Sequence, residues 1–214
     1  MTIRVKICGL KTEDAMRTAL DAGADLVGLV FHAKSPRNVS LDAAKPLADL
    51  ARARAGIVAL VVDPTDETLD AIVGTIEPGL IQLHGNETPE RSADIRERFA
   101  TPVMKALQVG SRADAERARA YAGAVDLLLF DAKAPPQSNI PGGNGEVFDW
   151  TLIDGVKDVA PWILSGGLNL DNVAAAIRQT GATAVDVSSG VERTRGEKDL
   201  GLIRAFIEAA KAAG

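Results

Sequence analysis

Eight short apolar runs recur along this chain, and an amphipathic stretch follows each one. The runs are Arg4–Cys8, Leu26–Phe31, Ile57–Asp63, Leu80–Leu83, Val103–Leu107, Val125–Asp131, Trp162–Ser165 and Ala184–Val187. Most are continuously apolar rather than alternating, as expected of parallel strands covered on both faces. The stretches between them read as helices. Thr65–Glu77 places Leu69, Ile72, Val73 and Ile76 on one face, and Asp199–Ala213 does the same with Leu202, Ile203, Phe206, Ile207 and Ala210. Thr12, Ser40, Thr88-Pro89, Ser111 and Asn169 mark helix starts, and Gly23 and Gly181 stand where helices end. Pro46 falls inside the second helix, which predicts a kink there or a later start.

Eight strands and eight helices in strict alternation leave no break for a domain boundary. An open doubly wound sheet accommodates this order. Eight near-equal units in 214 residues, with strands too apolar to leave an edge exposed, favour a single-domain (βα)8 TIM barrel over residues 1–214. Residues 134–145, APPQSNIPGGNG, read as one long loop.

Composition narrows the function classes. A net charge of −5 carries no nucleic-acid footprint. No run approaches the ~18 apolar residues of a membrane span, and MTIRVK lacks a signal-peptide core. These features predict a cytoplasmic protein with no membrane partner. A single cysteine excludes an internal disulfide and a multi-thiolate metal site, and two histidines argue against a zinc centre. No metal centre of these kinds is expected. The exposed helix faces fit a monomer or a homodimer.

In such a barrel the chemistry gathers at the C-terminal ends of the strands. Cys8-Gly9 follows the first strand, and His32 with Ser35-Pro36-Arg37 the second. Asp63 ends the third strand, His84-Gly85 follows the fourth, Gln108 follows the fifth and Asp131 ends the sixth. Ser165-Gly166-Gly167 follows the seventh, and Ser188-Ser189-Gly190-Val191-Glu192 the eighth. Glycine and serine pairs in register after the last two strands fit a phosphate cup, with an extra helix starting near Ser188; each pair alone also fits an ordinary turn. Asp131 beside an apolar strand fits a general acid, since desolvation tends to raise a carboxyl pKa, or a capping residue. Arg37 fits a carboxylate clamp or a solvated surface arginine. His84 fits a substrate donor or a structural histidine, Asp63 a turn-shaping residue, and Cys8 either core filling or a reactive thiol.

Together these pieces resemble the phosphoribosylanthranilate isomerases of tryptophan biosynthesis over essentially the whole chain. They are Lys6-Ile7-Cys8-Gly9-Leu10, Ser35-Pro36-Arg37, Gln82-Leu83-His84-Gly85, Leu129-Phe130-Asp131 and Gly142-Gly143-Asn144-Gly145 with Phe148-Asp149-Trp150. Ser165-Gly166-Gly167-Leu168-Asn169, Asp186 through Glu192, and Gly196 with Lys198-Asp199 complete the set. The resemblance implies an Amadori rearrangement, without metal or organic cofactor, of N-(5′-phosphoribosyl)anthranilate to 1-(o-carboxyphenylamino)-1-deoxyribulose 5-phosphate. It implies Cys8 as general base, Asp131 as general acid and Arg37 facing the anthranilate. His84 and Asp186 are expected to contact substrate, and Gly166, Gly167, Ser188, Ser189 and Gly190 to hold its phosphate. Asn144 departs from the family's Gly-Gly-Thr-Gly loop. For Cys8 to act as a base its thiolate must be favoured, and Lys6 shares its face of the strand by alternation.

Two other readings compete. The histidine-pathway isomerase runs the same chemistry on a substrate with two phosphates, but it resembles a two-aspartate design, and the first half of this chain has no second glycine-rich pair. A non-catalytic phosphate-ligand binder on a barrel would need neither Cys8 nor Asp131.

Overall fold

Continuously apolar strands need cover on two sides, and a closed barrel supplies both. The computed structural model describes residues 2–133, 142, 143, 145 and 147–214. Its strands are β1 Arg4–Cys8, β2 Leu26–Phe31, β3 Gly56–Val61, β4 Leu80–Leu83, β5 Val103–Val109, β6 Leu127–Ala132, β7 Trp162–Leu164 and β8 Ala184–Val187. All pair in parallel in sequence order, and β8 closes against β1. All eight predicted strands form, four with the expected bounds and four with one or both ends shifted by one or two residues.

Outward residues such as Val5, Ile7, Val27 and Leu29 join the main core beneath the helices. Inward residues form a separate plug of Val58, Leu80, Met104, Ala106, Leu129, Ile163 and Ala184. Above it the interior turns polar: Lys6, Gln82 and Asp186 point inward from three strands and are buried. Register explains their grouping. Lys6 pairs with Asp186 across β1 and β8, and Cys8 pairs with Gly28 across β1 and β2.

Seven α-helices lie among the described residues: α1 Glu13–Asp21, α2 Leu41–Ala51, α3 Asp66–Ile76, α4 Pro89–Phe99, α5 Arg112–Glu116, α6 Val173–Thr180 and α7 Leu200–Ala212. Thr12, Ser40, Thr65, Thr88, Ser111 and Asp199 cap α1 to α5 and α7 with their side chains. Each cap takes up an N–H that the helix leaves unpaired. Gly23 and Gly181 take the left-handed conformation as expected, with φ of 87° and 71°.

Three expectations change. The α2 helix starts at Leu41 and runs through Pro46; because Pro46 is exposed, water can satisfy the carbonyl it leaves without a donor. Asn169 does not start a helix: its Oδ1 accepts from the N–H groups of Asp171 and Asn172, building a turn that delays α6 to Val173. Between β6 and β7 the described residues form only a 3₁₀ turn, Trp150–Ile153, in place of an eighth helix. Gly155 and Pro161 leave too few residues there to repay helix nucleation. No helix of the described residues is long and apolar enough to cross a membrane.

Candidate active site

A cleft lies at the C-terminal mouth of the barrel and opens to solvent. Strand ends and their loops bring Cys8, Arg37, His84, Asp131, Gly166, Gly167, Asp186, Ser188 and Ser189 into its lining. Of the expected site residues only Gly190 stands behind it. A side chain there would collide with the Leu168 carbonyl, so Gly190 is where the loops after β7 and β8 touch.

Cys8 is 4% exposed at the inner end of β1. Burial pushes its thiol above the ordinary value, against the pull of the Lys6 and Lys198 ammonium groups. Gly28 keeps the thiol and Lys6 close: a Cβ there would sit 3.0 Å from Cys8 Sγ and 3.3 Å from Lys6 Nζ. Lys6 Nζ donates to Asp186 Oδ1 at 2.8 Å, and Ser165 Oγ donates to Asp186 Oδ2 at 3.0 Å. Burial acts to lower the Lys6 pKa, but Asp186 and Cys8 hold it above the ordinary lysine value. Asp186 therefore faces the cleft with both oxygens engaged.

Asp131 lies at the end of β6, separated from Cys8 by β7 and β8. Its Oδ1 accepts from the Ala132 N–H at 2.9 Å, and its Oδ2 lies 3.1 Å from His84 Nε2. The other nitrogen of that ring, Nδ1, lies 3.1 Å from the Gln82 amide. His84 is thus the middle of a buried chain ending on Asp131. Gly142 packs over this pair, where a Cβ would come 2.7 Å from both Asp131 Oδ2 and His84 Nε2. Asn144 lies outside the described residues.

Arg37 is 3% exposed, which rules out the solvated surface arginine. Its Nε and Nη2 donate to the two oxygens of Glu192 at 2.7 and 2.9 Å, and Nη2 also reaches the Gly143 carbonyl at 3.2 Å. Nη1 packs against Gly143, where an added Cβ would collide with it. The extra helix expected near Ser188 is one 3₁₀ turn, Ser189–Val191, which leads into a hairpin of β9 Glu192–Thr194 and β10 Glu197–Lys198. The hairpin returns Lys198 Nζ to the Ser188 carbonyl at 2.8 Å and to Glu192 Oε1 at 3.0 Å. Burial lowers the Lys198 pKa in spite of Glu192. Gly196 lets the hairpin tip approach Pro36, just before Arg37.

The cup expected for phosphate is built from backbone. Gly166 and Gly167 have φ of 85° and 63°, and a side chain on Gly166 would strike the Ala132 nitrogen. Asn172 Nδ2 ties the Gly167 carbonyl at 3.0 Å. Asp63 shapes a turn, as one reading held: its φ is 45°, and Oδ1 accepts from the Asn86 N–H at 2.6 Å. Lys105, Gln82, Glu192 and Lys198 carry much of this architecture, and residue type alone did not mark them. A signal existed for Gln82 and Lys105, each a polar residue inside an apolar strand. No group of three or more histidine, cysteine, aspartate or glutamate side chains able to hold a metal occurs among the described residues.

The family model described as N-(5'phosphoribosyl)anthranilate (PRA) isomerase matches residues 5–209. A relative named N-(5'-phosphoribosyl)anthranilate isomerase from Rhodopseudomonas palustris (strain BisA53) is 54% identical over 212 residues, covering 99% of this chain and 97% of the relative. One of the same name from Bradyrhizobium sp. (strain ORS 278) is 51% identical over 213 residues, 100% of this chain and 97% of the relative. The solved phosphoribosyl anthranilate isomerase from Thermotoga maritima superposes with a TM-score of 0.89 at 37% identity, covering 98% of this chain and 99% of that one. A phosphoribosyl anthranilate isomerase solved with reduced 1-(o-carboxyphenylamino)-1-deoxyribulose 5-phosphate gives 0.86 at 35% identity, with the same coverage. The chain belongs to the N-(5'-phosphoribosyl)anthranilate isomerase family of tryptophan biosynthesis.

Proposed function

We propose that Cys8 and Asp131 are the base and acid with which this isomerase converts N-(5′-phosphoribosyl)anthranilate into 1-(o-carboxyphenylamino)-1-deoxyribulose 5-phosphate. The observation that carries the assignment is a thiol and a carboxyl lining one cleft from strands separated by β7 and β8. The reaction needs an acid and a base acting on neighbouring atoms of one sugar.

Asp131 gives its proton to the ribose ring oxygen as the C1′–O bond breaks, and the anthranilate nitrogen pushes in to form an iminium. The iminium acidifies the C2′ proton, which the Cys8 thiolate removes to leave an enolamine. Cys8 gives its own proton to solvent before this step and ends it as a thiol carrying the C2′ proton; the enolamine tautomerises to the ketone, and Asp131 regains a proton from solvent. Cys8 rests as a thiol, because burial outweighs its neighbouring cations. Lys6 is the group that stabilises the thiolate when it forms, since its Nζ is held beside the sulfur by Asp186.

Arg37 takes the anthranilate carboxylate. The backbone of Gly166, Gly167, Ser188 and Ser189 takes the phosphate, with Lys198 beneath it through Ser188. We assign small phosphorylated metabolites as the ligands and the cytoplasm as the location, in keeping with a cleft lined by glycine and serine loops and a net charge of −5. The test is purified protein mixed with freshly prepared phosphoribosylanthranilate. Loss of anthranilate fluorescence in step with added enzyme supports the assignment; no loss above the uncatalysed rate contradicts it.

A further inference from the structure

The Gln82 side chain is fully buried and touches His84, yet its Oε1 has no hydrogen-bond partner among the described residues. A buried amide oxygen left unpaired is costly, and native interiors seldom keep one without a reason. Here the reason lies in the symmetry of the amide. Its two ends have the same shape, but one donates and the other accepts.

With nitrogen toward the ring, Gln82 donates to His84 Nδ1. His84 then carries its proton on Nε2 and donates it to an ionised Asp131. With oxygen toward the ring, Gln82 accepts from Nδ1–H. Nε2 then presents a lone pair, which accepts from a protonated Asp131. The two arrangements differ by one proton on the Asp131–His84 pair, and each leaves one end of the amide without a partner.

We infer that Gln82 is a positioning residue that selects the His84 tautomer and so matches the Gln82–His84–Asp131 chain to both protonation states of the acid. An acceptor-only or a donor-free side chain at this position fits only one state or neither. The inference rests on Asp131 being the acid. Other titratable or charged groups around the ring are His32 and Lys34 after β2, Asp63 after β3, and Cys8, Arg37 and Asp186 across the cleft. None of them contacts Nδ1 among the described residues, so the far side of the ring answers to Gln82.

The chain has only two histidines, so ¹⁵N imidazole spectra of the whole protein report His84 directly, with His32→Gln as the assignment control. Gln82→Glu supplies an acceptor alone, and Gln82→Met supplies neither group in a similar volume. The wild-type enzyme is expected to show His84 protonated on Nδ1 while Asp131 carries the acid proton, and on Nε2 once Asp131 has lost it at higher pH. Gln82→Glu is expected to hold that proton on Nδ1 to higher pH and to raise the higher-pH limb of kcat by about one pH unit or more, with KM within about threefold. Gln82→Met is expected to show both tautomers in exchange. If Gln82→Glu does not fold, Gln82→Met decides alone. A His84 tautomer and a higher-pH limb both unchanged from wild type, in whichever variant folds, overturns the inference. Asp131→Asn tests the acid assignment separately, because the imidazole spectra register Gln82 whether or not Asp131 donates to substrate.

Discussion

Replacing Glu192 by Gln removes the charge that holds Arg37 in the cleft, and the structure sets the size of the effect. The carboxylate accepts from Arg37 Nε and Nη2, from Lys198 Nζ at 3.0 Å and from the Gly196 N–H at 2.9 Å. Burial works against its charge, but these donors hold its pKa at about 2, below the ordinary 4.5. At about 1.4 kcal/mol per pKa unit, the charged form contributes up to about 3 kcal/mol at neutral pH. The side chains of Arg37 and Glu192 are each 4% exposed, so solvent screens the pair little. The folded pKa is depressed, so this stability is complete above the unfolded value near 4.5. It is lost as pH falls toward about 2. At pH 3 less than half of it remains, roughly 1.4 kcal/mol. Urea unfolding of wild type and Glu192→Gln at pH 7 and pH 3 reads the difference directly. The expected gap is about 3 kcal/mol at pH 7, shrinking by about 2 kcal/mol at pH 3. KM should also rise, since Arg37 is then no longer aimed. A gap under about 1 kcal/mol that does not change with pH would refute the reasoning.

The resting state of Cys8 is open to a simple titration. Burial holds its thiol up, so the midpoint of the iodoacetamide rate against pH should lie above that of a free thiol, about 8.5; a midpoint at or below that value contradicts it. Gly28→Ala would place a methyl 3.0 Å from Cys8 Sγ and 3.3 Å from Lys6 Nζ. It should lower kcat by about tenfold or more while KM changes little, and unchanged kcat would show that the close approach of thiol and ammonium does not matter. Lys105 Nζ donates to Glu87 Oε2 and the Gly85 carbonyl, both at 2.7 Å, and Glu87 in turn takes the Asp63 and Gly85 N–H groups. Lys105→Met strands that buried carboxylate and should destabilise by about 3 kcal/mol; a loss below about 1 kcal/mol by urea unfolding would show the brace to be dispensable.

The barrel was legible because its outward strand faces and its helix stripes are both apolar, and because Thr12, Ser40, Thr65, Thr88 and Ser111 announce the helix starts. The rim residues Cys8, Arg37, His84 and Asp131 stood out as polar or reactive groups at strand ends. The polar interior was harder to read. Lys6, Gln82 and Asp186 lie within apolar runs, and only closure of the barrel turns them toward one another. Glu192 was quoted as part of a motif, but its bond to Arg37 spans 155 residues of sequence and depends on a short hairpin. That the described residues show no eighth helix has a local cause, a segment too short between Asp149 and Pro161. Asn169 resembled a cap because it does bond backbone N–H groups, in a turn one step before the helix.

The most direct test of the account is turnover of Cys8→Ala and Asp131→Asn beside wild type, followed by anthranilate fluorescence over a range of substrate concentrations. If these side chains are the base and the acid, each variant loses at least about 10²-fold in kcat, while KM stays within a few-fold because neither holds the substrate. A variant that keeps kcat within about tenfold of wild type would contradict the assignment of that residue.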